Sequence, residues 1–564
     1  MNKHTEPTNE PQICGYVPPA KKDVVSEASQ GGEQESVQGK VVYPGQKVEY
    51  QLNTQPQLPS SLAYGIKSVS FTDSYDRYLK PDKQTLEMMD LNTGKPVSKK
   101  KYTTKWDDSK HMFTLTVTDQ ETIGQWRAGT NPRIQVRFEG TVSDDAPTDH
   151  KVNNKWVLTL NNSLTPSNEV FNIPPTLNPK KKDTQKDPTI DIDGMTALLG
   201  DEIYYRVDID ATQTNQAYKV WRLGMTDDYD DSYLKLDASK VEITDETGKD
   251  VTARFNIQDK DGVLYAYAKT VDTEVPATGE TVKGDPQPTD LKAYSESDEH
   301  DPLTQPSIDQ TLLGHTYTVT MPMTVIKVTD GYVVRNKATQ VLNKVRKDTN
   351  EVTNPLKPVN PSKDVTVKVG GESVNGRSIY KGRTFLYQLD SSILPAHRAY
   401  PQVDEWYIED ALDPAFDEFT GQWVVYASRD LYRDGQVIAA KGEKIAGSGF
   451  DSSRFGGDLF TLSTASVDGR NVVTIGTTEA YRALVSADNE HEAGWRPYIQ
   501  TTRLAVTDRH ENQFTEHYNG KAFQSNIVWT RTPDMTPSIH IEKYDVASGE
   551  QAGDRDDVKD ALKM

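Results

Sequence analysis

A lysine, an aspartate and an asparagine recur three times, in the same order, along this 564-residue chain. A lysine amine and an asparagine carboxamide can condense to an amide with loss of ammonia, and a nearby carboxylic acid can move the protons. The recurrence therefore predicts three self-formed Lys–Asn isopeptide bonds, each assisted by its aspartate. The three sets are Lys22, Asp73 and Asn168; Lys182, Asp227 and Asn350; and Lys363, Asp410 and Asn526.

This chemistry requires a dry site. Burial among apolar groups lowers the pKa of a lysine and frees its amine, and it raises the pKa of an aspartate so that the acid stays protonated. The alternative for each set is a solvated linker lysine, a strand-end aspartate and an edge asparagine. Recurrence of all three residues in order favours the crosslink.

Repeated motifs flank the three sets. VQGKVVYPGQKVEY (37–50), IDGMTALLGDEIYY (192–205) and VNGRSIYKGRTFLY (374–387) align without gaps, with glycines six residues apart. Such glycines are typical of turns between β-strands. FTDSYD, MTDDYD and IEDALD carry the aspartates, and SNEV, TNEV and SNIV carry the asparagines. Each predicted site thus spans one domain from its first strand to its last.

The motifs predict five segments: a leader (1–19), three domains (20–178, 179–359 and 360–534), and the truncated start of a further stalk domain (535–564). We call the three domains the first, second and third repeats. PPAKKD, NPKKKD and NPSKD open them, and proline there is typical of a linker. These openings leave two choices of lysine unresolved, Lys21 or Lys22 and Lys181, Lys182 or Lys186.

The composition favours an all-β fold. The 27 Tyr outnumber the 13 Phe, and segments such as HTYTVTMPMTVIKV (315–328) alternate apolar and polar residues with the period of a half-buried strand. TTEAYRALVSA (477–487) is the best candidate for a helix. Tandem, elaborated immunoglobulin-like β-sandwich domains are the predicted architecture.

Charge, cysteine content and hydropathy exclude several classes of function. The net charge of −20 argues against a nucleic-acid partner, and no run approaches the 18 apolar residues of a membrane span, so no membrane insertion is expected. The single cysteine, Cys14, rules out an intramolecular disulfide. The sequence lacks HExxH, GxSxG and a phosphate-binding glycine loop.

The third repeat carries the most specific family motifs, NPSKDVTV, EFTGQWVVYASRDL and TTRLAVTDRHENQF, and the second adds MPMTVIKV and VVRNKATQ. With these, the chain resembles the C-terminal stalk of streptococcal antigen I/II-type adhesins and related Gram-positive aggregation proteins. The resemblance implies isopeptide bonds Lys22–Asn168, Lys182–Asn350 and Lys363–Asn526. It also implies an extracellular protein anchored to the bacterial cell wall.

The resemblance also implies partners. Family members bind host glycoproteins or other bacterial surface proteins, and in some the second domain carries a helical adherence segment. The corresponding segment here, residues 270–305, is rich in Pro, Gly and acidic residues instead, so that partner is not transferred. No cofactor is required, but some relatives bind Ca2+. Asp208 and Asp210 are the candidate calcium ligands, and a solvated acidic turn is the alternative.

Three functions follow in order of preference. The first is a structural and adhesive stalk, stapled by its crosslinks and without an external substrate. The second is a module that itself recognises a host glycoprotein or glycan. The third is a secreted carbohydrate-active enzyme, which would require a cleft with two carboxylates roughly 5–10 Å apart and no crosslink.

Overall fold

The computed structural model describes residues 20–26, 34–54, 65–127, 133–148, 150–274, 279–285, 290–300 and 305–535. Within these residues the fold consists mostly of β-strands in antiparallel sheets, with three short α-helices. The all-β prediction is confirmed. The predicted leader and all but Met535 of the predicted terminal segment lie outside the described residues.

The chain forms two compact units. One comprises residues 1–194 and 200–355, and the other comprises residues 195–199 and 356–564. The first unit contains the first and second repeats, and each of these has its own pair of larger sheets. The domain boundaries taken from the sequence motifs stay predictions.

The first repeat places its first strand at the edge of one sheet and its aspartate strand inside the other. The sheet orders are β1-β2-β9-β5-β6, with β4 beside β9, and β11-β10-β3-β8-β7, with β12 beside β10. The elements are β1 (Lys21–Ser26), β2 (Lys47–Asn53), β3 (Val69–Tyr75), β4 (Leu79–Pro81), β5 (Glu87–Asp90), β6 (Lys95–Pro96), β7 (Tyr102–Asp107), β8 (Met112–Val117), α1 (Gln120–Arg127), β9 (Ile134–Val142), β10 (Val152–Leu160), β11 (Ser163–Pro166) and β12 (Val170–Asn172).

The second repeat repeats this arrangement. Its sheets are β13-β14-β24-β16, with β17 beside β24, and β18-β19-β15-β26-β27, and β25 pairs with β28. The elements are β13 (Lys180–Thr184), β14 (Glu202–Ala211), β15 (Leu223–Asp228), β16 (Leu234–Leu236), β17 (Glu242–Asp245), β18 (Phe255–Lys260), β19 (Val263–Ala268), β20 (Thr270–Val271), β21 (Thr273–Glu274), β22 (Thr281–Val282), α2 (Leu291–Glu296), β23 (Ser307–Ile308), β24 (His315–Val325), β25 (Val333–Asn336), β26 (Ala338–Leu342), β27 (Val345–Asp348) and β28 (Val352–Pro355).

The third repeat has sheets β29-β30-β38-β32-β35 and β36-β37-β31-β40-β41, and β39 pairs with β42. Its helix α3 (Glu479–Ala487) confirms the helix predicted at 477–487. The strands are β29 (Ser362–Thr366), β30 (Thr384–Asp390), β31 (Trp406–Leu412), β32 (Asp417–Ala427), β33 (Leu431–Arg433), β34 (Gln436–Ala439), β35 (Lys444–Gly447), β36 (Phe460–Val467), β37 (Arg470–Thr477), β38 (Trp495–Arg503), β39 (Thr507–Asn512), β40 (Phe514–Tyr518), β41 (Lys521–Gln524) and β42 (Val528–Thr532).

Alternation of side chains builds the core of each repeat. Every second residue of β14, from Ile203 to Ala211, is buried, and the residues between them are half-buried or exposed. This is the period of a strand with one face on a core. Trp156 in the first repeat and Trp406 and Trp495 in the third are fully buried. Within the described residues, no helix is long and apolar enough to cross a membrane.

The paired glycines lie in turns, as their spacing predicted. In the first repeat Gly39 and Gly45 have φ of 72° and 80°, and in the second Gly194 and Gly200 have φ of 77° and 80°. Positive φ is accessible to glycine without a Cβ clash. These turns set the start of β2 and β14, whose tyrosines then face the core.

Candidate functional site

The first repeat holds a buried lysine between an aspartate and an asparagine. The Nζ of Lys22, on β1, contacts the carboxylate of Asp73, on β3, and donates a 2.8 Å hydrogen bond to Oδ1 of Asn154, on β10. All three residues are at most 1% exposed. Lys21 is exposed, so Lys22 is the buried member of that pair. The site joins the edge strand of one sheet to two neighbouring strands of the other.

The second repeat has the same site, with a correction to the predicted lysine. The ammonium of Lys181 contacts the carboxylate of Asp227, and both residues are buried. Lys182 is exposed because side chains alternate along β13, and Lys186 is exposed as well. Of the three lysines that the sequence left open, the structure thus places Lys181, and not the preferred Lys182, against Asp227. Asn336, 1% exposed at the end of β25, is the buried asparagine of this site.

The third repeat pairs Lys363 with Asp410, as the motifs predicted. Both side chains are fully buried and in contact. Asn512, at the end of β39 and 7% exposed, is the neighbouring asparagine, and it favours the ionised form of Asp410.

Strand register gives each buried asparagine the same position. In every repeat it lies two residues before the residue directly opposite the aspartate on the adjacent strand. Side chains two apart share a face, so the amide and the carboxyl meet on the inner side of the sheet. The opposite residues are Trp156 for Asp73, Ala338 for Asp227 and Phe514 for Asp410.

The asparagines predicted from the closing motifs hold the lysine main chain instead. In the first repeat Oδ1 of Asn168 accepts from the Lys22 amide at 2.8 Å, and its Nδ2 donates to the Lys22 carbonyl at 2.9 Å. Asn350 binds the Lys181 main chain in the same way, and so does Asn526 with Lys363. These asparagines are exposed. The structure therefore places these three asparagines outside the core and not at the amine, and there they clamp the first strand to the closing segment.

Burial sets the protonation of each pair. It lowers the pKa of Lys22 to about 8, although the charge of Asp73 opposes the change. Burial likewise lowers the pKa of Lys181 and Lys363. For the aspartates burial acts in the other direction and raises the pKa of Asp73, Asp227 and Asp410. These are the shifts that transfer of a proton from ammonium to carboxylate requires.

A tyrosine ring packs over each lysine. The Nζ of Lys22 lies 5.3 Å from the ring centroid of Tyr50, and that of Lys181 lies 5.0 Å from Tyr205. In the third repeat the Nζ of Lys363 lies 4.4 Å from the centroid of Tyr387. These are the tyrosines that follow the paired glycines in sequence. Each of these tyrosines lies on the strand that pairs with the lysine strand.

The same two polar atoms are unpaired at all three sites. In each repeat Oδ1 of the aspartate and Nδ2 of the asparagine make no hydrogen bond of good geometry among the described residues, although the asparagine lies close enough to oppose the rise in the pKa of the aspartate. Buried polar atoms without partners are rare in folded proteins because each costs about 1–3 kcal/mol. Their recurrence at matched positions distinguishes these sites from an ordinary buried ion pair. The atoms are those of Asp73 and Asn154, Asp227 and Asn336, and Asp410 and Asn512.

The candidate calcium ligands make hydrogen bonds within the second repeat. Oδ1 of Asp208 accepts from the Thr318 hydroxyl at 2.7 Å, and Asp210 accepts from Asn178 and Thr212. Among the described residues, no group of three or more His, Cys, Asp or Glu side chains is arranged to hold a metal ion. Calcium binding stays a prediction.

The asparagines that sequence reasoning missed had a detectable signal. Asn154, Asn336 and Asn512 lie in VNNKWVL, VVRNKATQ and RHENQF, each two residues after a buried residue and two before another. They therefore belong to the core face of a strand by the period of two. The motifs SNEV, TNEV and SNIV are more regular in sequence, so pattern alone favours their asparagines over those of the core.

Comparison with known proteins matches all three repeats. The model for the cell surface antigen I/II C2 terminal domain matches residues 19–174 and 179–356, and the model for the cell surface antigen C-terminus matches residues 360–533. Aggregation substance of Enterococcus faecalis is 30% identical over 322 residues, which are 56% of this chain and 21% of that protein. The chain thus corresponds to about a fifth of that relative's length.

Two solved structures are also similar. The C-terminal domain of the Streptococcus pyogenes antigen I/II-family protein AspA is 20% identical, with a TM-score of 0.48, over 63% of this chain and 99% of that one. The C-terminal domain of the Streptococcus agalactiae AgI/II polypeptide BspA is 18% identical, with a TM-score of 0.46, over 63% of this chain and 100% of that one.

Proposed function

Since the chain belongs to the cell surface antigen I/II family, we propose that it is a structural and adhesive segment whose three repeats each close one Lys–Asn isopeptide bond. The bonds join Lys22 to Asn154, Lys181 to Asn336 and Lys363 to Asn512. The observation that carries this proposal is the threefold recurrence of a buried lysine, aspartate and asparagine in one register, with matched polar atoms left unpaired.

The reaction balances without a cofactor. Asp73 takes a proton from the Lys22 ammonium, and the neutral Nζ attacks Cγ of Asn154. The protonated carboxyl then gives a proton to the departing Nδ2 and accepts the second proton that Nζ loses, so an amide forms, one ammonia leaves and Asp73 ends as the neutral acid. The 2.8 Å contact between Nζ and Oδ1 already holds the reactants together, which supports a fast intramolecular step.

The aspartate serves as the proton carrier because its surroundings favour both forms in turn. Burial favours the neutral acid, and the adjacent ammonium favours the carboxylate. After reaction the lysine charge is gone and the aspartate stays as a neutral acid, which removes two charges from the core. The amide that forms can also give the aspartate oxygen the hydrogen-bond donor that it lacks.

Each crosslink would close a large loop. The enclosed separations are 132, 155 (336 − 181) and 149 (512 − 363) residues. If the chain-entropy formula for disulfides carries over, each bond stabilises its repeat by about 5 kcal/mol. A force applied to the termini would reach the covalent bond before most of the sheet hydrogen bonds. This supports a stalk that resists pulling and proteolysis.

The adhesive part of the proposal comes from the family. Its models describe cell-surface antigens, and we propose that the whole protein, anchored to the cell wall of a Gram-positive bacterium, binds host glycoproteins or other bacterial surface proteins. Recognition by these repeats themselves is the second candidate, and it is tested by binding of the purified chain to immobilised mucin. Binding no greater than that of an unrelated protein of equal net charge would leave the repeats as spacers.

Single-molecule pulling from the two termini tests the mechanical role. The wild-type chain should show no extension step from the enclosed segments. A variant carrying Asp73→Ala, Asp227→Ala and Asp410→Ala should release on the order of 500 Å per repeat, at roughly 3.3–3.6 Å per residue. Equal extension of the two chains would contradict the proposal.

A further inference from the structure

A second buried charge cluster adjoins the crosslink site of the third repeat. Asp417 accepts hydrogen bonds from the Tyr387 hydroxyl at 2.7 Å and from Arg503 Nε at 2.9 Å, and His510 Nε2 lies 2.9 Å from its second oxygen. Asp417 and Arg503 are fully buried, and His510 is 7% exposed. We call these four residues the Asp417 cluster.

The cluster adjoins the reacting amine and the strand that carries the carboxamide. The ring of Tyr387, whose hydroxyl is held by Asp417, lies 4.4 Å from the Nζ of Lys363. His510 lies two residues before Asn512 on β39, so both side chains face the same interior. Asp417 therefore links the ring beside the amine to the strand that carries the carboxamide.

The first and second repeats have apolar residues at the matching positions. Asp417 pairs across the strands with Arg503, and the corresponding cross-strand pairs are Leu79 with Val142 and Leu234 with Val325. The residue two before the buried asparagine is Val152 in the first repeat and Val334 in the second. All six of these aliphatic residues are buried. An aspartate, an arginine and a histidine thus replace one leucine and two valines.

Stability alone does not account for this replacement. Burying several charges carries a desolvation penalty, and well-packed aliphatic residues of similar volume are often as stable or more stable. The first two repeats themselves have aliphatic residues at these positions. The charged residues of the third repeat add directional, charge-assisted hydrogen bonds, which fix side-chain geometry more narrowly than aliphatic packing does.

The charge state of Asp417 fits this role. Burial favours its neutral form, but His510, Arg503 and Tyr387 together hold the pKa of Asp417 below its ordinary value. An ionised Asp417 is a stronger acceptor for the Tyr387 hydroxyl. The other charged groups that face the cluster are Lys363 and Asp410 themselves.

We propose that Asp417 is a positioning residue for crosslinking in the third repeat: it fixes Tyr387 against the Lys363 amine and, through His510, holds the strand of Asn512 in register. The inference rests on the proposed isopeptide chemistry and assigns to the third repeat a supporting cluster that the first two repeats lack. Asp417 itself does not contact the amine or the carboxamide that react.

The test is a pulse–chase on the full chain. Cell-free synthesis is stopped at intervals in acidic denaturant, and the crosslinked fraction of each repeat is measured by peptide mass. The variant Asp417→Leu/Arg503→Val/His510→Val copies the first two repeats. We expect crosslinking of its third repeat to slow by about tenfold or more, with the first two repeats unchanged as internal controls.

A second measurement separates positioning from stability. The same triple substitution is made in a Lys363→Met chain, which cannot crosslink, and its thermal unfolding is compared with that of Lys363→Met alone. We expect the third repeat to unfold within a few degrees in both. A wild-type crosslinking rate in a triple variant that folds would overturn the inference.

If the triple variant does not fold, Tyr387→Phe decides the question, because it removes only the hydroxyl that Asp417 holds. Slower crosslinking of the third repeat supports the inference, and an unchanged rate overturns it. Absence of crosslinks from all three repeats of the wild-type chain would instead refute the proposed function, which is a distinguishable result.

Discussion

Asp183 lies directly opposite Tyr205 across β13 and β14, at a position where the other repeats have core valines. The equivalent residues, Val24 and Val365, are fully buried, and Asp183 is 0% exposed as well. Neither of its carboxylate oxygens makes a hydrogen bond of good geometry among the described residues, although the side chain of Asn354 lies close enough to favour the ionised form. Burial raises the pKa of Asp183 from 3.8 to about 7. The folded second repeat is therefore more stable when the carboxyl group of Asp183 is neutral than when it is ionised.

The stability of the second repeat should fall as pH rises. Because the folded pKa of Asp183 is the higher one, the folded state retains a proton that the unfolded state loses above pH 3.8. The penalty is absent below that pH and complete above about 7, and it amounts to on the order of 2–4 kcal/mol. Asp183→Val should remove the pH dependence and raise the unfolding temperature at pH 8, as measured by calorimetry from pH 4 to 8.

Asp364→Val is the matched control for that measurement. Asp364 is half-buried and accepts hydrogen bonds from the Val365 amide and the Ser373 hydroxyl, so its replacement should bring no gain. A second-repeat transition that is equally stable at pH 4 and pH 8 in the unaltered chain would show that Asp183 is not buried as the neutral acid.

Replacement of the two adjacent lysines of β13 should have opposite results. Lys181→Met removes the buried amine, so the chain should retain one more ammonia than the wild type in intact-mass measurement. Lys182→Met alters an exposed side chain and should leave the ammonia count unchanged. Retention of ammonia in Lys182→Met alone would mean that the strand register of β13 is wrong.

Replacement of the two asparagines of the second repeat should also give two different results. Asn336→Ala should abolish the crosslink and the stabilisation of about 5 kcal/mol that it supplies. Asn350→Ala should keep the crosslink and lose only the two hydrogen bonds to the Lys181 main chain, at about 1–3 kcal/mol. Mass and thermal unfolding of both variants check this, and a crosslink lost only in Asn350→Ala would reverse the assignment.

Asp410→Ala should act on the third repeat alone. It removes the proton carrier, so one ammonia should be retained. It also leaves the ammonium of Lys363 buried without its partner, a loss that typically costs 3–5 kcal/mol. Limited proteolysis should then cut the third repeat first, while the other two stay resistant. Normal crosslinking in Asp410→Ala would show that another group carries the proton.

Sequence patterns predicted the fold class and the positions of the three aspartates because both depend on local patterns along a strand. The alternation along β14 and the turn glycines such as Gly39 predict strands directly. Asp73, Asp227 and Asp410 lie on the buried face of central strands, and the recurrent motifs FTDSYD, MTDDYD and IEDALD mark their positions. The resemblance to antigen I/II-type proteins, given by longer motifs in the second and third repeats, is confirmed by the family match.

The errors arose where register across strands decides the contact. A shift of one residue moves a side chain to the other face of a sheet, and NPKKKD has a lysine at three successive positions. Alignment on the lysine-aspartate dipeptide matches Lys182 with Lys22 and Lys363. In the structure, however, Lys181 faces the core and Lys182 is exposed. Asn168 and its counterparts occur in a regular motif because each clamps the main chain of the buried lysine. An asparagine with this role recurs once in each repeat, as a crosslinking asparagine would, so the sequence does not distinguish the two roles.

The most direct test of the central claim is mass spectrometry of the wild-type chain, intact and after proteolysis. The account predicts an intact mass lower than the sequence mass by three ammonias. It also predicts three branched peptides, which join Lys22 to Asn154, Lys181 to Asn336 and Lys363 to Asn512. A full sequence mass would contradict the crosslinks altogether, and branches at Asn168, Asn350 and Asn526 would contradict the assignment of the buried asparagines.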